Sequence, residues 1–229
     1  PVVYRINWNL RCDGMFFSFK IDGDELDKRM GGGVYVGQLF NLFGDNSEGK
    51  TLLSIRLAYG FLKNGISIAY VSSQMPIREF ISFSDALGYP VLNSVISGAM
   101  LYITPVFILD DLLNNEHVKE KSVLIIDSLN PGMFRDFEIN SYMEKLRKFS
   151  ENRVVIITAN QASLDDATVL RMNQLSTTIV SLHSKELGGI KRHFIDLVKY
   201  PMVVRSIQQS IPFRVEPGRG LIVEISSVS

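Results

Sequence analysis

Gly44-Asp45-Asn46-Ser47-Glu48-Gly49-Lys50-Thr51 decides the fold. The run has the G-x-x-x-x-G-K-[ST] spacing of a loop that wraps a phosphate group. An apolar stretch, Gln38-Leu39-Phe40-Asn41-Leu42-Phe43, leads into it and reads as a buried strand. A helix from about Lys50 to Asn64 leads out, apolar at Leu53, Leu57, Tyr59, Phe61 and Leu62 and closed by Gly65. The chemistry explains the pattern. A helix start offers unpaired N–H groups and a positive dipole end, both suited to anions. Glycines let the backbone approach where a Cβ would clash. Asn46, Ser47, Glu48, Gly49, Lys50, Thr51 and Leu52 are therefore expected to hold a nucleotide's phosphates. Lys50 would bridge the outer phosphates and the Thr51 hydroxyl would ligate Mg²⁺. Glu48 is unusual in such a loop and is expected to point outward to solvent.

Outward from the loop, strands and helices alternate. Ile66–Ser72, Met100–Thr104, Ser122–Asp127 and Arg153–Thr158 read as strands. Helices are expected after Pro76 as far as Gly88, over Ile108–Lys121, and over about Glu138–Asn152. Asp24–Met30 reads as a short helix ended by Gly31-Gly32-Gly33, and residues 1–20 as one or two strands. From Ser176 the pattern turns to β: Thr177–His183, His193–Lys199, Pro212–Glu216 and Leu221–Ser226. The expected fold class is α/β: a RecA-like P-loop core with a mostly parallel central sheet, helices on both faces and antiparallel C-terminal strands. Residues 1–229 suit a single domain, with 1–19 as an N-terminal strand extension.

Composition narrows the function. Lysine plus arginine equals aspartate plus glutamate at 24 each, so the chain has no basic excess for nucleic acid. Cys12, the single cysteine, allows neither an internal disulfide nor a cysteine zinc site, and suits a reducing compartment. No run approaches the roughly 20 apolar residues of a membrane span, so membrane contact would go through a partner. Arg5, Arg11 and Asp13 interrupt the start, so no signal peptide is expected.

Asp127 ends the buried strand Val123–Ile126. An acid at the C-terminal tip of a parallel strand faces the ligand edge of the sheet. Its expected role is to hold Mg²⁺ through water; a helix N-cap or loop acid is the competing reading.

Leu26-Asp-Lys-Arg-Met-Gly-Gly-Gly33, Gly37-Gln-Leu39, the phosphate loop, Tyr59–Gly65, Tyr70-Val-Ser72 and the tail Phe213-Arg-Val-Glu-Pro-Gly-Arg-Gly-Leu221 resemble the KaiC/RecA-type P-loop superfamily. Within it, Asp45-Asn46, Ala58–Leu62, Val71-Ser-Ser-Gln74 and Phe213–Pro217 resemble the archaellum (archaeal flagellum) accessory ATP-binding proteins. The resemblance spans about residues 20–229. It implies ATP and Mg²⁺ as ligands and assembly into a homo-oligomeric ring, a hexamer, at the cytoplasmic face of the archaellum motor. It also implies the motor ATPase FlaI and other archaellum components as partners.

Active members of the superfamily carry a water-activating carboxylate just after the second core strand. This chain has Ser72-Ser73-Gln74-Met75 there. An amide can orient a water but cannot take its proton, so binding with slow or absent hydrolysis is expected and no catalytic residue is assigned. Thr158-Ala159-Asn160-Gln161 would either sense the γ-phosphate or make strand-end hydrogen bonds. Lys199 would reach a neighbouring subunit's nucleotide or lie on the surface. Pro217 and Gly218 would flank the adenine or form a plain turn. His117, His183 and His193 lack metal-ligand spacing, the last two flanking a Gly188-Gly189 hairpin turn. Two other functions compete. One is an active KaiC-like ATPase or autokinase, for which Ser72 and Ser73 are conceivable acceptors. The other is a RecA-like DNA-binding protein, disfavoured because residues 159–176 offer only Arg171 against Asp165 and Asp166.

Overall fold

The computed structural model describes residues 15–104, 108–129, 138–201 and 206–224. The readings of residues 1–14, Cys12 among them, lie outside the described residues, as does the far end of Leu221–Ser226. Strand β1 (Phe16–Phe17) pairs antiparallel with β2 (Val34–Tyr35), flanking a short helix α1 (Leu26–Arg29). The main sheet is built from β3 (Leu39–Gly44), β4 (Ile68–Ser72), β5 (Met100–Ile103), β6 (Val123–Leu129), β7 (Val154–Ala159), β8 (Thr178–Leu187), β9 (Ile190–Lys199), β10 (Ser210–Glu216) and β11 (Gly220–Val223). Their spatial order is β11-β10-β9-β8-β3-β7-β6-β4-β5. From β5 through β8 the strands run parallel; from β8 to β11 each pair is antiparallel. The expected mostly parallel sheet with antiparallel C-terminal strands is thus what forms.

The apolar runs of the central strands explain two cores rather than one. Neighbouring residues of a strand point to opposite faces. Phe40, Leu42, Ile68, Tyr70, Val123, Ile125 and Ile156 join one core. Leu39, Phe43, Ala69, Val71, Leu124, Ile126 and Ile157 join the other. A strand buried on both faces must be apolar throughout, which is why these runs do not alternate. The first core is covered by α2 (Lys50–Lys63) and α3 (Ile77–Ala86) through Leu53, Ile55, Phe61 and Phe80. The second is covered by α5 (Leu109–Asn114), α7 (Ile139–Phe149) and α8 (Asp166–Leu175) through Leu112, Leu146 and Met172. A short helix, α4 (Leu92–Ile96), precedes β5.

Local chemistry sets the boundaries. Gly65, at φ 76°, ends α2. Its N–H bonds the Leu62 carbonyl, and the Ile66 N–H bonds that of Phe61, which closes the last turn. The single helix expected over Ile108–Lys121 is instead two. Asn115 is extended (φ −65°, ψ 122°), and its side chain accepts from the His117 and Val118 N–H groups to start α6 (Glu116–Lys119). A capping Asn competes with helix continuation. Helices α4 and α8 were not expected. The Asp165 carboxylate caps α8 by accepting from the Thr168 N–H.

The N-terminal segment is fastened to α2 by one buried cation. Arg56 has no exposed side-chain surface; its Nε donates to Asp24 Oδ2 at 2.8 Å and its Nη1 to the Phe19 carbonyl at 2.6 Å. The β10–β11 turn packs on the end of α3. The Gly218 N–H donates to the Ala86 carbonyl at 2.8 Å and the Leu221 N–H to the Tyr89 hydroxyl at 2.8 Å.

Candidate functional site

The loop between β3 and α2 opens onto a cavity of about 460 Å³ lined by Asn46, Ser47, Gly49, Lys50, Thr51, Leu52, Gln74, Phe83, Ser128, Leu129, Asn160 and Ser163. The volume is in the range of small-molecule sites. Helix α2 enters it uncapped. Its N-cap is Gly49 at φ 96°, with no side-chain cap and no acid in the first turn. The leading N–H groups of α2 therefore have no internal acceptor. Ser47, at φ 66°, is a non-glycine residue in the left-handed region, a local strain that keeps the loop curled.

Lys50 Nζ donates to the carbonyls of Gly44 and Asp45 at 2.7 Å each, within its own loop. Burial lowers its pKa, and the nearby charges of Asp127, Asp45 and Glu48 oppose that. Thr51 Oγ1 lies 3.3 Å from Asp127 Oδ1. Asp127 is 3% exposed and lies beneath the cavity rather than in its wall. Burial pushes its carboxyl up; hydrogen bonds from Thr158, Thr51 and Tyr70, and the Lys50 charge, pull it back. A hydroxyl and a buried carboxylate are hard oxygen donors of the kind Mg²⁺ takes. Among the described residues there is no cluster of three or more His, Cys, Asp or Glu side chains that could hold a metal ion. Thr51 and Asp127 would thus fit an ion that takes its remaining ligands from phosphate and water.

Glu48 departs from expectation. Its side chain is not turned to solvent: it is 12% exposed, and it is held against β8 and β9. The Ser184 hydroxyl donates to it at 2.8 Å, His193 Nδ1 lies at 3.3 Å and Lys191 Nζ at 3.4 Å. Burial raises its pKa, but the Ser184 hydrogen bond and Lys191 outweigh this and hold it below the usual glutamate value. Pro217 and Gly218 do not line the cavity; they form the turn packed on Ala86. Lys199 Nζ donates to the Ser176 carbonyl at 2.6 Å within its own chain. Ser72 is 1% exposed, which leaves it no access as a phosphate acceptor. His117 is in solvent.

Gln74 does line the cavity, as does Asn160, whose Nδ2 donates to Asn46 Oδ1 at 3.1 Å. Phe83, Ser128, Leu129 and Ser163 belong to the wall but carry no sequence signal except Ser128 and Leu129, which directly follow Asp127. Among the described residues, no Asp, Glu or His lines the cavity.

The strand order, the uncapped helix after β3 and the acid near the C-terminal end of β6 define a P-loop domain of the RecA/KaiC type. A KaiC-like protein from Pyrococcus horikoshii shares this fold over 93% of the chain and all of that protein, with a TM-score of 0.74 at 17% identity. No protein-family model matches the chain. Curated relatives go further. The archaeal flagellar ATP-binding protein FlaH of Methanocaldococcus jannaschii is 34% identical over 221 residues, covering 90% of this chain and 94% of the relative. That of Methanococcus voltae is 31% identical over 229 residues, covering 93% and 99%. The crystal structure of the flagellar accessory protein FlaH from M. jannaschii matches with a TM-score of 0.87 over 93% of this chain and all of that one. The chain belongs to the FlaH family of archaeal flagellar proteins. Among the described residues, no helix is long and apolar enough to cross a membrane.

Proposed function

We propose that this chain binds ATP with Mg²⁺ in the cavity over Asn46–Leu52, hydrolyses it slowly or not at all, and uses nucleotide occupancy to control its assembly with archaellum components. The reading rests on one contrast. Lys50, Thr51 and Asp127 supply a phosphate cation, a metal-ligating hydroxyl and a metal-orienting acid. The other polar residues described around the cavity include Gln74, Ser128, Asn160 and Ser163, none of which can take a proton from water near neutral pH. Such a base speeds hydrolysis by about 10²–10⁴-fold; binding does without one. The relatives named for ATP binding and for the archaeal flagellum support both ligand and setting. The chain acts as a single domain in a cytoplasmic homo-oligomeric ring, a hexamer, at the motor base. The motor ATPase FlaI is its nucleotide-dependent partner.

The test is calorimetric titration of ATP into the chain and its Lys50→Ala variant, with turnover measured alongside and FlaI affinity measured with and without ATP. Tight binding lost in Lys50→Ala, poor turnover and an ATP-dependent FlaI affinity are expected. Equal FlaI binding with and without ATP overturns the regulatory reading. Rapid turnover, or phosphate found on the protein by mass spectrometry, favours an active ATPase or autokinase.

A further inference from the structure

Thr158, the penultimate residue of β7, is completely buried. Its hydroxyl makes two contacts whose directions are fixed. The Ser128 N–H can only donate, and it does so into Thr158 Oγ1 at 2.6 Å. The single hydroxyl proton is then available to Asp127 Oδ1, 2.8 Å away. The first contact fills a gap. The β6–β7 register shifts between Ile126 and Leu129, and Ser128 takes a left-handed φ of 64°. Such a conformation is strained for a residue with a Cβ and persists only when its surroundings over-determine it. The hydroxyl supplies the acceptor that holds it. The second contact fixes the carboxylate that Thr51 also approaches, on the same oxygen. Two residues past Thr158, Asn160 bonds Asn46 of the phosphate loop. The end of β7 thus touches both the acid and the loop.

We propose that Thr158 is the positioning residue for the site's magnesium–nucleoside triphosphate complex: by donating to Asp127 Oδ1 while accepting from Ser128, it sets the acid's orientation toward the metal. The proposal rests on the reading of Thr51 and Asp127 as the groups that hold Mg²⁺. Loss of an outer partner of a metal-orienting group costs about 10–100-fold in metal affinity.

The experiment reads the ratio of fluorescent ATP-analogue affinities in Mg²⁺ and in EDTA, on the full chain. In Thr158→Val the Mg²⁺-dependent gain should fall about tenfold or more, with binding in EDTA changing far less. Thr158→Ser should restore the gain. Adding Thr158→Val to Asp127→Asn should cost nothing further, because the threonine acts through the acid. A wild-type ratio in Thr158→Val overturns the proposal, as does a Thr158→Ser variant no better than valine, or a multiplicative loss in the double variant. If Thr158→Val does not fold, Thr158→Ala takes its place with the same two outcomes. A wild-type chain with no Mg²⁺-dependent gain brings down the metal reading itself, and is recognised before any variant is made.

Discussion

Ser184 Oγ donates to Glu48 Oε1 at 2.8 Å, tying the acid inside the phosphate loop to a strand 136 residues later. With Lys191 and His193 on the same carboxylate, the charge that would oppose phosphates is turned away and offset. The net downward shift of its pKa sets a pH dependence. A carboxyl whose folded pKa is depressed contributes stability above its unfolded pKa, and that stability is lost as pH falls through the folded value. The chain's melting temperature should therefore fall as pH drops below about 4.5, the unperturbed glutamate value. The curve of Glu48→Gln should be flatter there and converge on wild type at lower pH. Parallel curves would show that the contacts of Glu48 with β8 and β9 do not stabilise the fold.

Asp127 works in the opposite sense. Its folded carboxyl is raised by burial, so its charged form is a cost to the fold that falls away as pH drops through the folded pKa. Asp127→Asn keeps an oxygen for Thr158 and Thr51 and removes the buried charge. Without nucleotide or metal at pH 7, it should melt higher than wild type. The same variant should lose the Mg²⁺-dependent part of ATP binding. A melting temperature below wild type would show the charge to be stabilising. A site that gains stability when its functional acid is removed is the expected trade-off.

Gln74 lines the cavity without a charge. Gln74→Glu places a proton acceptor there, and general-base catalysis contributes about 10²–10⁴-fold where geometry permits. Steady-state phosphate release should rise measurably in this variant with ATP affinity intact. An unchanged rate would mean position 74 does not face the reacting phosphate.

Gly60 lies where α2 meets the N-terminal segment. A Cβ there would come within 2.3 Å of the Phe19 carbonyl and 2.7 Å of Arg56 Nη1. Backbone cannot yield as a flexible side-chain end does, so Gly60→Ala should destabilise the chain by about 1–3 kcal/mol, despite alanine's better helix propensity. Denaturant midpoints measure it; a midpoint at or above wild type would show that the segment moves aside.

The sequence by itself determined what rests on neighbours within a few residues. The strand–loop–helix spanning Leu39–Lys63, the Gly65 stop and the doubly apolar strands β6 and β7 follow from periodicity, backbone freedom and the needs of a phosphate loop. Asp127 was legible because a strand tip facing the ligand edge is a consequence of parallel topology. Even locally, Asn115 misled: its apolar-periodic setting suggests one helix, and only the side chain's bond to two N–H groups divides it. The tertiary structure decided what depends on residues far apart in the chain. Glu48 could not be placed without β8 and β9, nor Thr158 without the bulged strand beside it. Phe83 entered the cavity wall only because α3 packs next to the loop. Those contacts form between elements whose separation in sequence carries no signal of their separation in space. Hydrogen-bond direction and burial, which turn an unremarkable threonine into a candidate partner of the acid, exist only once the strands are side by side.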